Sequence, residues 1–288
     1  GWDHVQAVGA EIRARAPQFV ILNHARHAQL SLALLPPEIA VLPFVHGDNE
    51  WVYRLALTNL TECTRVLAPS PVVAADVARR SPDAHCSVVP HGVPIPPPRA
   101  EVDPRRAAPR IQLLHLGRLD HGKGVELLPV IARGLSAAGL DFRLLVAGDG
   151  PLRGALTGPT VTPGLELLPT QTPERAMRLL EDAHLVLLPT ESEGLPLVLL
   201  EAQARGCVPL ATRLAGSTDQ AVRDGETGVL FPERDSADYV RAILELARDR
   251  ERWVGLSAAA RAWAEGHFSL ERMAERYESL FAELRRAP

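Results

Sequence analysis

Six short apolar runs recur from residue 111 onward, at 111–116, 142–147, 165–168, 185–188, 208–211 and 229–231, with stretches of helical period between most of them. Strand-length runs joined by helices rather than hairpin turns imply right-handed crossovers and a parallel sheet covered on both faces. The helical stretches 125–138 and 174–182 fit that scheme. The spacing predicts a complete doubly wound α/β domain over 111–266. Ahead of it stand only four strand signals, at 19–22, 39–45, 65–68 and 87–89, with a helix expected over 71–80. That is few for a whole domain of this kind, so residues 1–93 read as the back portion of a second Rossmann-like domain whose front is absent.

Between the two halves, prolines at 94, 96, 97, 98, 104 and 109 forbid a helix or a central strand, so residues 94–110 read as a semi-rigid connector. At the other end, Leu270, Met273, Tyr277, Leu280, Phe281 and Leu284 fall on one face of a helix, with Ser269 as its N-cap. Residues 267–288 are expected to pack back towards the first domain.

Composition bounds the function classes. Of the 288 residues 46% are apolar and the net charge is −4, which suits a globular chain and lacks the basic footprint of a nucleic-acid binder. No apolar run approaches the ~18 residues that span a bilayer. No secretory signal is visible, and the opening Gly1 suggests a fragment or a processed form. Cys63, Cys86 and Cys207 are odd in number and show no C-x-x-C spacing, so neither a disulfide framework nor a metal cage is expected. The default compartment is the cytoplasm, with peripheral attachment at a membrane left open.

Lys123 is the only lysine among 31 basic residues. It sits in Gly117-Arg118-Leu119-Asp120-His121-Gly122-Lys123-Gly124, directly after the run 111–116. A strand ending in a glycine-flanked cationic loop is where α/β proteins hold phosphate. A second loop, Pro189 to Pro196, follows the run 185–188, and Pro196 fits the first position of a helix stopping at Gly206. Glu193 then feeds a helix N-terminus and Glu201 lies in the second turn, with seven residues between them. Carboxylates suit vicinal diols, and cations suit a diphosphate. Together they describe a nucleoside-diphosphate sugar. The plainer alternatives are charge compensation of a helix N-terminus for Glu193, worth ~0.3–1 kcal/mol, and a surface helix acid for Glu201.

These residues resemble a known family. G-R-L-D-H-G-K-G, A-G-D-G-P-L-R (residues 147–153) and E-G-L-P-L-V-L-L-E-A (residues 193–202) are similar to family 4 glycosyltransferases of the GT-B fold. The resemblance runs on through Gly206, the Gly225-Glu226-Thr227-Gly228 turn and His267-Phe268-Ser269. Val45-His46-Gly47, Ala68-Pro69-Ser70 and Val89-Pro90-His91-Gly92-Val93 resemble the later part of the family's acceptor domain more loosely. The implied fold is two Rossmann-like domains, the first incomplete. The implied activity is retaining, metal-independent transfer of a hexose from a UDP- or GDP-sugar to a saccharide, lipid-linked or small-molecule acceptor, with no further cofactor. Arg118 and Lys123, with Gly117, would bind the diphosphate. Glu193, Gly194, Leu195 and Pro196 would contact sugar and phosphate, Glu201 the ribose, and His46 the transferred sugar. Three departures stand out: Ala215-Gly216-Ser217-Thr218-Asp219-Gln220 where the family often has Gly-Gly-x-Pro-Glu, Leu195-Pro196 after Glu193-Gly194, and no opening glycine-rich loop.

Rival readings rest on less. Gly148-Asp149-Gly150-Pro151-Leu152-Arg153-Gly154, with Glu166 downstream, imitates a dinucleotide fingerprint, but Pro151, Gly158-Pro159 and Pro163 leave little room for its long helix. A non-catalytic nucleotide-sugar-binding subunit, a GT-B epimerase and a phosphorylase share the expected architecture. His24 and His27 could share a helical face, yet no third metal ligand has a natural spacing.

Overall fold

The structure is a computed structural model that describes residues 1–47, 50–97, 103–156 and 162–286. Pro98 and the Gly158-Pro159 pair lie outside the described residues. The chain divides into two compact units, Gly1–His91 with Met273–Pro288, and Gly92–Arg272.

The first unit is built on a parallel sheet of four strands in the order β1-β2-β3-β4: β1 (Phe19–Asn23), β2 (Ala40–Phe44), β3 (Val66–Ala68) and β4 (Cys86–Val88). Its helices are α1 (Trp2–Arg15), α2 (Arg26–Leu30), α3 (Glu50–Ala56) and α4 (Pro71–Arg80). Pro71 opens α4 at the position where a missing N–H is harmless, and Val73 and Val77 bury one turn apart. The helix α1 was not expected. Val5 and Gly9 are buried and Val8 and Ile12 pack beside them on the core, a sparse stripe at helical spacing.

The C-terminal helix Leu270–Arg286 contributes everything from Met273 onward to this unit. Leu280 is buried with Leu42, Phe44, Leu67 and Val89, and Tyr277, Phe281 and Leu284 pack beside it. Phe281 stacks on Phe19 at 4.4 Å, and Glu283 pairs with Arg65 at 3.0 Å. Ser269 caps the helix by accepting from the Arg272 amide at 3.2 Å. Leu270, expected on the apolar face, is left 42% exposed.

The second unit holds a parallel sheet of six strands in the order β10-β9-β8-β5-β6-β7. The strands are β5 (Ile111–Leu116), β6 (Phe142–Ala147), β7 (Leu165–Leu168), β8 (Leu185–Leu188), β9 (Val208–Thr212) and β10 (Val229–Phe231). The helices are α5 (Leu127–Ala137), α6 (Arg153–Leu156), α7 (Pro173–Asp182), α8 (Leu197–Ala204), α9 (Thr218–Ala221), α10 (Ser236–Arg248) and α11 (Arg250–Phe268). Leu113, Leu144, Leu187 and Leu210 bury under α5 and α10, while Leu114, Val186 and Ala211 face the cluster formed by α7, α8 and α11. Because both faces are covered, the strands read as nearly continuous apolar runs. The chain moves outward through β5, β6 and β7, then returns to β8 on the other side of β5. That reversal makes the carboxyl ends of β5 and β8 the switch point where such sheets bind ligands.

The described parts of the proline-rich stretch, residues 94–97 and 103–110, group with this second unit. Arg105 is 5% exposed, donates to the Ala183 carbonyl at 2.7 Å and the Arg205 carbonyl at 3.2 Å, and pairs with Asp103. Val93 donates to the Phe268 carbonyl at 2.7 Å. Against the expectation of no helix here, Pro104 opens a short 3-10 helix, Pro104–Ala107, capped by Asp103, because a proline at the first helical position loses no hydrogen bond.

Candidate functional site

Three loops meet at the carboxyl edge of the six-stranded sheet, after β5, β6 and β8. Gly124 has φ +67, and a Cβ there would lie 1.9 Å from the Pro189 carbonyl oxygen, so only glycine lets the first loop rest on the exit of β8. Gly148, at φ +148, plays the same part between the second loop and the Gly117 carbonyl. Hydrogen bonds join the seams. Thr190 Oγ1 and the Glu191 amide both donate to the Gly122 carbonyl at 2.8 Å, and the Leu119 amide donates to Asp149 O at 2.9 Å. Asp120 caps the turn by accepting from the Lys123 amide at 3.0 Å.

This framework brings Lys123 and Glu193 together. Lys123 Nζ lies 2.6 Å from Glu193 Oε1, with the side chains 21% and 10% exposed. Arg118 is placed differently. Its side chain is 78% exposed and pairs with Asp120 at 3.0 Å, leaving the guanidinium at the rim of the loop. Leu195 is buried. Pro196, expected inside the helix, stands instead at the N-cap of α8 with ψ 102, because its backbone is still extended. Gly206, at φ +65, follows the end of α8 as the stop signal predicted. Glu201 lies in the second turn of α8, and burial raises its pKa above the usual carboxylate value, with Arg205 opposing the shift. Gly117 and Gly194 occupy the two loops themselves.

Sequence reasoning missed several groups around this framework. His115, on β5, is fully buried. Its Nδ1 lies 3.0 Å from the Leu187 carbonyl, and burial holds its pKa at about 4. Arg234, just past β10, contacts both the Lys123 and the Glu193 loops. An alternation of charge types carries no signal for a pairing across 108 positions.

His46 belongs to the first unit. Its Nε2 is 2.8 Å from Asn23 Oδ1, and its ring stacks on Phe44 at 4.3 Å and on His91 at 5.2 Å. Burial, then the neighbouring His91 and His24, lower its pKa to about 4, so the imidazole is neutral at physiological pH. Among the described residues no three His, Cys, Asp or Glu side chains converge as metal ligands. No helix among the described residues is long and apolar enough to cross a membrane.

After the Gly148 loop, α6 is described over Arg153–Leu156, and Glu166, the acid of the dinucleotide alternative, pairs with Arg143 at 2.5 Å.

Residues 110–249 match the family described as "Glycosyl transferases group 1". The chain is 38% identical over 136 residues to a D-inositol 3-phosphate glycosyltransferase of Nocardia farcinica, covering 43% of this chain and 30% of that protein. A structure of HepE from Anabaena in complex with UDP-glucose superposes with a TM-score of 0.78 at 17% identity, over 97% of this chain and 82% of that one. Sucrose-phosphate synthase from Thermosynechococcus elongatus superposes with a TM-score of 0.79 at 20% identity, over 99% and 78%. The chain spans between 30% and 53% of the length of the curated relatives it matches. The fold of this chain, α/β with two parallel sheets, matches both structures over nearly all of its length.

Proposed function

We propose that this chain acts in glycosyl transfer, holding a nucleoside-diphosphate hexose on its second unit and passing the sugar to an acceptor hydroxyl with retention and without a metal ion. The observation that carries this reading is the Lys123–Glu193 pair at the switch point of the six-stranded sheet, with Glu201 on the helix that follows. The family match covers all three residues, and the similar HepE structure holds UDP-glucose.

Each group has a role set by its chemistry. Lys123, with Arg118 closing from the rim, neutralises the diphosphate and the charge that grows on it as the anomeric C–O bond breaks. The Gly117 and Gly194 backbone allows close approach, and Leu195 and Pro196 shape the wall. Glu193 accepts hydrogen bonds from sugar hydroxyls, and Glu201 accepts them from the ribose diol. The neutral imidazole of His46, on the first unit, suits a hydrogen bond to a hydroxyl. The electron pair of the broken bond goes to the departing phosphate oxygen, which takes the acceptor's proton as the new C–O bond forms on the same face. The two cations supply the positive charge that a metal ion would bring. Retention and the proton's destination rest on the family resemblance. Three free cysteines and a net charge of −4 support the reading of a cytoplasmic setting.

A thermal-shift series with UDP, GDP and ADP tests the reading, since a ligand bound only by the folded state raises the midpoint. Saturable stabilisation by one of them, lost in Lys123→Met, is expected. Indifference to all three in the wild type would overturn the proposal. Binding without transfer across an acceptor panel would reduce it to a donor-binding module.

A further inference from the structure

We infer that Arg234 is a positioning residue that locks the loop carrying Lys123 to the loop carrying Glu193, so that the two charged side chains are presented in register. The inference rests on the proposed donor site and names what holds it together. Arg234 comes from the far edge of the sheet. Leu230 and Phe231 of β10 are buried just before it, and Asp235 just after it caps α10 by accepting from the Ala237 amide at 2.9 Å. The stem is therefore fixed at both ends, and the side chain is only 19% exposed.

Its guanidinium reaches both loops at once. On the first, Nη2 donates to Glu126 Oε1 at 2.6 Å and to the His121 carbonyl at 3.3 Å, bracketing Lys123 on either side in sequence. On the second, Nη1 donates to Glu191 Oε1, two residues before Glu193. The same Nη2 lies 3.0 Å from the position a Cβ of Gly124 would occupy, so the fork packs against the glycine at which the loops touch. A planar fork with several donors can bind acceptors on two segments at fixed separation, which an ammonium cannot. Glu191 and Glu126 are 57% and 40% exposed, so each pair alone adds little to stability. The consequence is for loop geometry more than for the fold.

Arg234→Met and Arg234→Lys in the full chain test this, read by amide hydrogen exchange and by UDP affinity in calorimetry. The amides of Lys123, Gly124 and Glu191 are hydrogen-bonded within and between the two loops. In Arg234→Met these amides should exchange about tenfold faster while Leu144 and Val186 on the central strands keep wild-type protection. The UDP Kd should rise about fivefold, and Arg234→Lys should fall between. Glu191→Gln, which removes one arm only, should loosen the Glu191 amide more than the Lys123 amide. Unchanged exchange at the three amides, or faster exchange with wild-type UDP affinity, would overturn the inference. A wild type that binds neither UDP nor GDP would instead fail the donor reading, and the exchange arm would still decide whether Arg234 holds the loops.

Discussion

Glu193→Gln should separate nucleotide binding from transfer. The Lys123 ammonium lies 2.6 Å from the Glu193 carboxylate. At an effective dielectric of about 20 the gross attraction at that distance is about 6 kcal/mol, but desolvation and side-chain ordering consume most of it. With the partners 21% and 10% exposed, a net preference of about 1 kcal/mol is the reasonable figure. A diphosphate must overcome that preference to draw the ammonium to itself. Glutamine keeps the shape, releases the ammonium and removes a negative charge that would face the phosphate. UDP should therefore bind about fivefold tighter to Glu193→Gln, the equivalent of about 1 kcal/mol. Transfer should fall about 10²- to 10³-fold, because the charged acceptor for the sugar hydroxyls is gone. Calorimetry with UDP at physiological salt, beside initial rates with a UDP-hexose, reads both. Lys123→Met should weaken UDP about 10²-fold and lose the gain in the double variant, since the released group is then absent. If Glu193→Gln weakened UDP as much as it lowered transfer, the carboxylate would be a nucleotide ligand and its assignment to the sugar would be wrong.

Other perturbations follow from the same framework. Gly124→Ala forces a side chain to φ +67 and to within 1.9 Å of the Pro189 carbonyl, so the loops must part; a loss above about 3 kcal/mol in urea unfolding, together with loss of UDP binding, is expected. His115 is held at a pKa of about 4 against 6.5 when unfolded, so the unfolded chain binds more protons between those values. Stability from His115 is complete above pH 6.5 and falls by about 3 kcal/mol as the pH drops towards 4. His115→Phe should flatten that part of the acid-unfolding curve, and an unchanged curve would count against the buried neutral imidazole. Leu280→Ala should cost about 3 kcal/mol in the first unit, measured by the same unfolding, since Leu280 is buried among Leu42, Phe44, Leu67 and Val89.

What the sequence discloses here depends on how local the cause is. The run 111–116 ends at Gly117, and the periodic stretch 71–80 opens on a proline after a serine, so strand and helix carry their own boundaries. Helix α1 carries only Val5, Val8 and Ile12 at helical spacing among exposed polar residues, a stripe too sparse to set its ends. Leu270 was placed on an apolar face by period, yet exposure depends on what stands opposite, which period does not encode. The proline-rich stretch shows the limit most directly. Its composition announces irregular backbone, but the burial of Arg105 is created by carbonyls at Ala183 and Arg205, far along the chain.

The same distinction explains why Lys123 and Glu193 were legible and Arg234 was not. Both of the former sit in loops whose glycines and prolines are a few residues away, so each loop describes itself. Arg234 has no distinguishing neighbourhood; its meaning lies in partners at 121, 126 and 191, brought together only when β10 takes its place at the edge of the sheet. The arginine-rich composition then acquires a physical sense. Arg105, Arg153 and Arg234 each span two or more acceptors on separate segments, a task for a rigid fork with fixed donors. Lys123 meets a single carboxylate oxygen through a flexible stem. At those three arginine positions the fork's partners belong to the chain itself, whereas the ammonium of Lys123 stands where the proposed partner changes, from the Glu193 carboxylate to a diphosphate. On that logic Lys123→Arg keeps the charge but should bind UDP more weakly than wild type, because a guanidinium held by Glu193 gives up its partner less readily than an ammonium does.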